Sequence, residues 1–185
     1  MFKLLLEFLL GALYSRMQDN ESRIAREIRK RILRTYCQID SAVVITNKNN
    51  FMCGKGCALY HGTYILNTFG KVILGDNSHL GAMCYVNACY GTLTIGDDVA
   101  IGPHTSIVVY SNHYKYGQKV TTERITKDIH IGNNVFVGAN CVILPGTTIA
   151  DNVIVGAGSV VKGKLDGNAV YAGAPHKKIR EHWYE

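Results

Sequence analysis

Proline is almost missing from this chain, at 3 of 185 residues, and tryptophan occurs once. So little proline excludes a Pro-rich linker or polyproline segment, and the 19 glycines point instead to frequent tight turns. Charge is sparse too. Only 18% of residues are charged against 47% hydrophobic, which excludes an intrinsically disordered chain. No apolar run is long enough for a bilayer: the best stretch, Phe2 to Tyr14, is broken by Lys3 and Glu7, and spanning takes about 20 residues. Lys3 alone marks a basic n-region and no small-x-small site follows the stretch, which argues against a secretory signal. The cysteines, at positions 37, 53, 57, 84, 89 and 141, include no C-x-x-C pair. Neither a zinc knuckle nor a dithiol motif is therefore expected, and they read as reduced, mostly buried thiols.

The net charge, 20 − 14 = +6, is concentrated at the ends. Residues 1–36 carry 8 basic and 4 acidic side chains, residues 37–161 carry 7 of each, and residues 162–185 carry 5 and 3. A neutral body argues against nucleic-acid binding, which uses a basic stripe on the folded surface. Basic ends suit a membrane surface or a polyphosphate.

Residues 1–36 read as helical. Leu5, Leu6, Leu9 and Leu13 share one face of a first helix, which lies on the protein body or on a membrane surface. A second helix is expected to start at Asp19 or Asn20, both good N-caps. Ile24, Ile28 and Ile32 form its apolar face, with Arg23, Arg26, Arg29, Lys30, Arg31 and Arg34 around it.

From about residue 37 the helical spacing stops and a period of six begins. Ile131, Val137, Ile143, Ile149, Val155 and Val161 fill every sixth position. Ile and Val make up 33 of 185 residues, so six hits in a row have odds of roughly 3 in 100,000 and mark a true repeat. The phase extends back through Ile107, Ile101 and Ile95, then Val86, Leu80 and Leu74, and on to Ile65, Leu59 and Cys53. A second signature rides on it: Leu74-Gly75-Asp76-Asn77, Ile95-Gly96-Asp97-Asp98, Ile131-Gly132-Asn133-Asn134 and Ile149-Ala150-Asp151-Asn152, separated by 21, 36 and 18. Eighteen is three sixes and 36 is two eighteens, while the 21 implies three extra residues near Asn87–Gly91. The unit is a three-sided coil of about 18 residues. Aliphatic side chains point inward and stack from coil to coil, with Gly, Asn and Asp at the corners. Residues 1–36 form a helical N-terminal cap, 37–165 the coiled prism, and 166–185 a C-terminal tail packing on it.

One stretch breaks the rule. His113 falls where an aliphatic residue is due, and residues 111–128, SNHYKYGQKVTTERITKD, contain no corner signature. This is expected to be a functional excursion with His113 at its root.

Residues 70–182 resemble the hexapeptide-repeat acyltransferases, in the branch of galactoside, maltose and nodulation-factor acetyltransferases and bacterial polysaccharide O-acetyltransferases. The segments that carry the likeness are TIGDDVAIGPHTSI, the histidine loop, IGNNVFVGANCVILPGTTIADNVIVGAGSVV and NAVYAGAPHKKIRE. The resemblance implies an all-β fold, a left-handed parallel β-helix with the helical cap. It also implies a cytoplasmic homotrimer that uses acetyl-CoA and no metal, with residues 1–36 available for peripheral membrane contact. In that family the loop histidine is the general base, and His113 matches it. A neutral imidazole, with an ordinary pKa of ~6.5, takes the hydroxyl proton as the oxygen attacks the thioester directly. Asn87 matches an asparagine that binds the acceptor, and Tyr85 and Tyr114 offer faces for a sugar. Ala139 and Ala157 match small positions along the pantetheine arm. Lys177 and Arg180 match basic residues near the nucleotide phosphates, and Lys162 and Lys164 flank Gly163, where the family carries a lysine.

Three other readings stand beside O-acetylation: N-acetylation of a nucleotide-linked amino sugar, a non-catalytic scaffold, and a zinc-dependent carbonic anhydrase on the same prism. The last needs two histidines five apart. The chain's histidines, at 61, 79, 104, 113, 130, 176 and 182, contain no such pair.

Overall fold

The six-residue period becomes the sides of a three-sided prism. A computed structural model describes residues 20, 22–32 and 37–181, together with Leu9 and Ala12. Three parallel sheets run along the prism axis. Sheet 1 begins with Gln38–Ile39 and passes through Ala58–Leu59, His79–Leu80, Ala100–Ile101, Phe136–Val137 and Val153–Val155. Sheet 2 runs from Val44–Ile45 to Val160–Val161, and sheet 3 from Phe51–Cys53 to Lys164–Leu165. The fold is a left-handed parallel β-helix.

The inward column of sheet 1 is Leu59, Leu80, Ile101, Val137 and Val155, paired in register from coil to coil and each fully buried. Burying an aliphatic side chain contributes about 1.5–3 kcal/mol, so three such columns supply the main favourable term. Short hydroxyl and thiol side chains finish the corners. Ser78 Oγ donates to the Gly96 carbonyl at 2.8 Å, Thr63 Oγ1 to Gly81 at 3.1 Å, and Cys84 Sγ to Gly102 at 3.2 Å. This explains three of the cysteines: at Cys57, Cys84 and Cys141 a thiol takes the corner place of Ser or Thr. All six are free, and all but Cys53 are buried.

Corners turn through left-handed backbone at Asn77, Asp98, Asn134 and Asn152, with φ of 55°, 55°, 51° and 57°, a region Asn and Asp tolerate well. Gly138 is required for a different reason. A Cβ there would come within 2.5 Å of the Ala157 amide in the next coil.

The extra residues are more regular than the sequence suggested. Cys53 to Leu74 and Leu74 to Ile95 are both in-register steps of 21 residues. In each early coil the insertion falls at the corner from sheet 2 to sheet 3: around Lys48–Asn50, at residues 67–70, and at residues 88–91. The long excursion leaves from this same corner.

The N-terminal helix differs from expectation. The helix Arg23–Ile32, α1, is capped by Ser22, whose Oγ accepts the Ala25 amide at 3.2 Å, while Asn20 accepts the Ser22 amide at 2.9 Å just outside it. Ser22 thus takes the N-cap role expected of Asp19 or Asn20. The helix face on the prism is Ala25 and Arg29, both fully buried, and Ile24 is 73% exposed. Arg29 wins this face because Nε donates to the Ile39 carbonyl at 3.0 Å and Nη1 to the Asn20 carbonyl at 2.8 Å, tying the first coil to the helix start. Leu9 is helical and exposed, but the rest of the face expected across Leu5 to Leu13, the Ile32 side chain and Arg34 lie outside the described residues. At the other end the expected tail continues sheet 1. Ala169–Ala172 pairs parallel with Val153–Val155, and Lys177–Glu181 returns antiparallel along it. Among the described residues no helix is long and apolar enough to cross a membrane.

Candidate active site

The excursion is a β-hairpin. Val109 is still on the prism, its amide donating to the Asn87 carbonyl at 3.0 Å, and Lys127 closes the base by donating to the Val109 carbonyl at 2.9 Å. Between them Tyr110–His113 pairs antiparallel with Glu123–Thr126, with Ser111 opposite Ile125 and His113 opposite Glu123. Alternate residues on a strand point to opposite faces, so the hairpin has two.

One face carries Tyr110 and Arg124. It meets Tyr90, with Tyr90 and Tyr110 edge to face at 5.3 Å and the Arg124 guanidinium 5.5 Å from the Tyr90 ring. Phe69, one coil earlier, stacks on Tyr90 at 6.1 Å. The sequence hid this cluster, although Phe69 and Tyr90 stand 21 residues apart in equivalent insertions.

The other face carries Ser111, His113, Glu123 and Ile125. An open cavity of about 340 Å³ lies here, lined by Ser111, Asn112, His113, Ile125, Lys127, Leu144, Pro145 and Lys162. His113 is exposed to it. Glu123 takes Lys115 Nζ at 2.8 Å, and the cation holds its carboxyl below the usual carboxylate range, with the nearby His113 adding to the effect. Sequence reasoning missed Lys127, at the base of the hairpin, and Leu144 and Pro145, at the corner that follows Val142–Ile143.

Asn87 is 8% exposed. Its Nδ2 donates to Tyr85 Oη at 3.1 Å and its Oδ1 accepts the Cys89 amide at 3.4 Å. Tyr85 stacks on Tyr64 at 6.1 Å on the outer surface of sheet 2. Tyr114 is exposed immediately after His113 on the hairpin.

The expected cofactor residues divide between two edges. Ala139 and Ala157 lie one coil apart at the corner from sheet 1 to sheet 2, and Lys177 closes that edge as the ladder partner of Ala172. Arg180 pairs with Val170 on sheet 1. Lys162 lies on the other edge, beside His113, and Lys164 sits on sheet 3 in an ion pair with Asp166 at 3.2 Å. The width of sheet 2 therefore separates His113 from the Ala139–Ala157 edge within one chain. Among the described residues, no group of three or more His, Cys, Asp or Glu side chains is placed to hold a metal ion.

Residues 128–163 match the family described as bacterial transferase hexapeptide (six repeats). WbbJ of Escherichia coli K12, assigned to O-acetyl transfer in lipopolysaccharide biosynthesis, is 32% identical over 166 residues, 84% of this chain and 81% of that protein. The chain belongs to the hexapeptide-repeat acetyltransferases. The galactoside O-acetyltransferase of E. coli K12 is 39% identical over 112 residues, 58% of this chain, and the match spans only 55% of that enzyme. Among solved structures, a mutant of AntD, an N-acyltransferase from Bacillus cereus, superposes with a TM-score of 0.75 over 86% of this chain and 90% of that one, at 23% identity. That likeness is one of fold.

Proposed function

We propose that this hexapeptide-repeat acetyltransferase moves an acetyl group from acetyl-CoA to a hydroxyl of a sugar or polysaccharide precursor, with His113 as the general base. The observation that carries this reading is the exposed His113 imidazole on the wall of a cavity that also holds Lys127 and Lys162. Ile125, Leu144 and Pro145 give that wall an apolar stretch suited to a pantetheine arm, and the lysines suit its anionic end. Coenzyme A supplies an acyl group already activated as a thioester. The imidazole therefore has one task, to take the hydroxyl proton as the new C–O bond forms. Asn87 and Tyr85 present an amide and a phenol for the acceptor, and Tyr114 flanks the base.

The site is completed by a second copy of the chain. His113 and the Ala139–Ala157 edge are apart in one prism, so a groove between prisms brings one copy's base to its neighbour's small-residue edge. The outer surfaces of the sheets support packing of this kind. Along the later coils sheet 1 presents Phe136, Ile154 and Val170, and sheet 2 presents Val142 and Val160, whereas sheet 3, which carries Met52 and Ile73 in its first coils, presents Thr94, His130, Thr148 and Lys164 there. Two apolar faces and one polar face suit a closed homotrimer. In the same reading the protein works in the cytoplasm, with the basic residues of α1, exposed Arg23 and Arg31 among them, turned to the inner membrane surface.

The test is acetyl-CoA turnover against a panel of sugars, nucleotide-linked amino sugars and lipid-linked glycans. A hydroxyl-bearing glycan acceptor is expected to be acetylated on oxygen. Exclusive acetylation of amino sugars would replace this reading with N-acetyl transfer, and no turnover on any acceptor would favour a binding scaffold.

A further inference from the structure

Glu123 stands directly opposite His113 in the hairpin ladder. Directly opposed residues on an antiparallel pair share a face, with Cβ atoms roughly 4.5–5.5 Å apart. The carboxylate of Glu123 is itself held, since Lys115 Nζ reaches both its oxygens at 2.8 Å. Along this face the order is Lys115, Glu123, His113 and then the cavity.

We propose that Glu123 is the positioning residue for His113: its carboxylate accepts from one ring nitrogen and leaves the other, unprotonated, aimed at the acceptor hydroxyl. This rests on the reading of His113 as the base. As the acceptor oxygen bonds to the acyl carbon, its proton passes to the free imidazole nitrogen, and the imidazolium so formed lies beside a carboxylate. When the C–S bond breaks, the proton leaves with the coenzyme A sulfur. Lys115 has a separate part. It fixes the position of the Glu123 carboxylate, which stabilises the imidazolium without taking the proton itself.

Other charges face the ring. Lys127 on the return strand and Lys162 on the last coil line the same cavity, Lys115 lies beyond Glu123, and Arg124 projects from the opposite face of the hairpin. The three lysines share the sign of the imidazolium formed in the step, and Glu123 carries the opposite sign. Without it, the ring would have no fixed tautomer and its imidazolium no counter-charge on this face.

The experiment measures kcat, KM and the pH dependence of kcat/KM on the full chain for wild type, Glu123→Gln, Glu123→Asp, Lys115→Gln and His113→Ala. Glu123→Gln is expected to lower kcat about 10- to 100-fold, with KM for acetyl-CoA within about twofold. Its acid limb should move to lower pH by about 0.5–1 unit, because the imidazolium loses its partner. Glu123→Asp should recover much of the rate and the position of the limb. Lys115→Gln breaks the same ion pair but keeps the carboxylate, so its limb should stay at or above the wild-type pH. If Lys115→Gln and Glu123→Gln lose activity equally with unmoved limbs, the pair is only a structural brace and the inference is overturned. If His113→Ala is inactive while Glu123→Gln behaves as wild type, the inference fails and the base assignment stands. If His113→Ala turns over normally, both fall.

Discussion

Asp97 accepts the backbone amide of Asp76, one coil away, through Oδ1 at 2.7 Å. The same bond recurs up the corner: Asp76 accepts the Lys55 amide at 2.7 Å, Asn133 the Asp97 amide at 2.8 Å, and Asp151 the Asn133 amide at 2.7 Å. Coils are roughly 4.8 Å apart, so an unbroken carboxylate stack would repel itself, and Asn133 interrupts it while keeping the acceptor. Asp97→Ala should cost about 1–2 kcal/mol by loss of this bond. Asp97→Asn should lose clearly less, as Asn133 already shows that an amide oxygen serves. Urea melts of the two variants check both.

The aliphatic columns set the larger stability terms. Ile101 is fully buried and paired in register with Leu80 and Val137, so its neighbours above and below are fixed by the ladder and collapse poorly into a void. Ile101→Ala should cost about 2–5 kcal/mol, read as a lower denaturation midpoint.

The thiols should be quiet at neutral pH. Burial pushes Cys84 up to about 11 and raises Cys57 and Cys141 as well. With a thiol-reactive dye at pH 7.5 these three should react slowly in the native protein, and all six cysteines quickly after denaturation. A thiol whose folded pKa is raised holds its proton longer folded than unfolded. Its stabilising contribution is therefore complete below the ordinary value of 9.0 and declines as pH rises toward about 11. Melting temperature should fall over that window.

Ala157 is exposed on the edge from sheet 1 to sheet 2. A larger side chain there has room in the isolated prism but would obstruct the groove proposed between two copies. Ala157→Leu should leave the melting temperature near wild type and raise KM for acetyl-CoA about tenfold or more. Coexpression then tests the shared site. Chains with His113→Ala and chains with Ala157→Leu are each impaired, but in mixed oligomers about a quarter of the sites pair two intact halves. Recovered activity near that level supports a site built from two copies, and no recovery contradicts it.

The prism was legible because its signal is strictly periodic. Ile131 through Val161 sit at the inward positions the period of six assigns, and the Asp-Asn signature marks one real corner. The helix face was misread because periodicity ranks Ile24 above Arg29, while burial of Arg29 depends on two carbonyls brought to it by the first coil and the helix start. The candidate site was half legible. His113 stood out as a polar residue in an aliphatic position, but its opposition to Glu123 is a matter of hairpin register. The polar run between them carries no alternation strong enough to fix that register. The Phe69–Tyr90–Tyr110 cluster was hidden for a similar reason: it needs coils of 21 residues to bring equivalent insertions together.

The proposed catalysis turns on one imidazole. The most direct measurement is the rate of acetyl transfer from acetyl-CoA to the best glycan acceptor by His113→Ala, with thermal melting alongside. A loss of at least about a hundredfold with an unchanged melt is the expected result. A variant that folds equally well and transfers acetyl at the wild-type rate would contradict it.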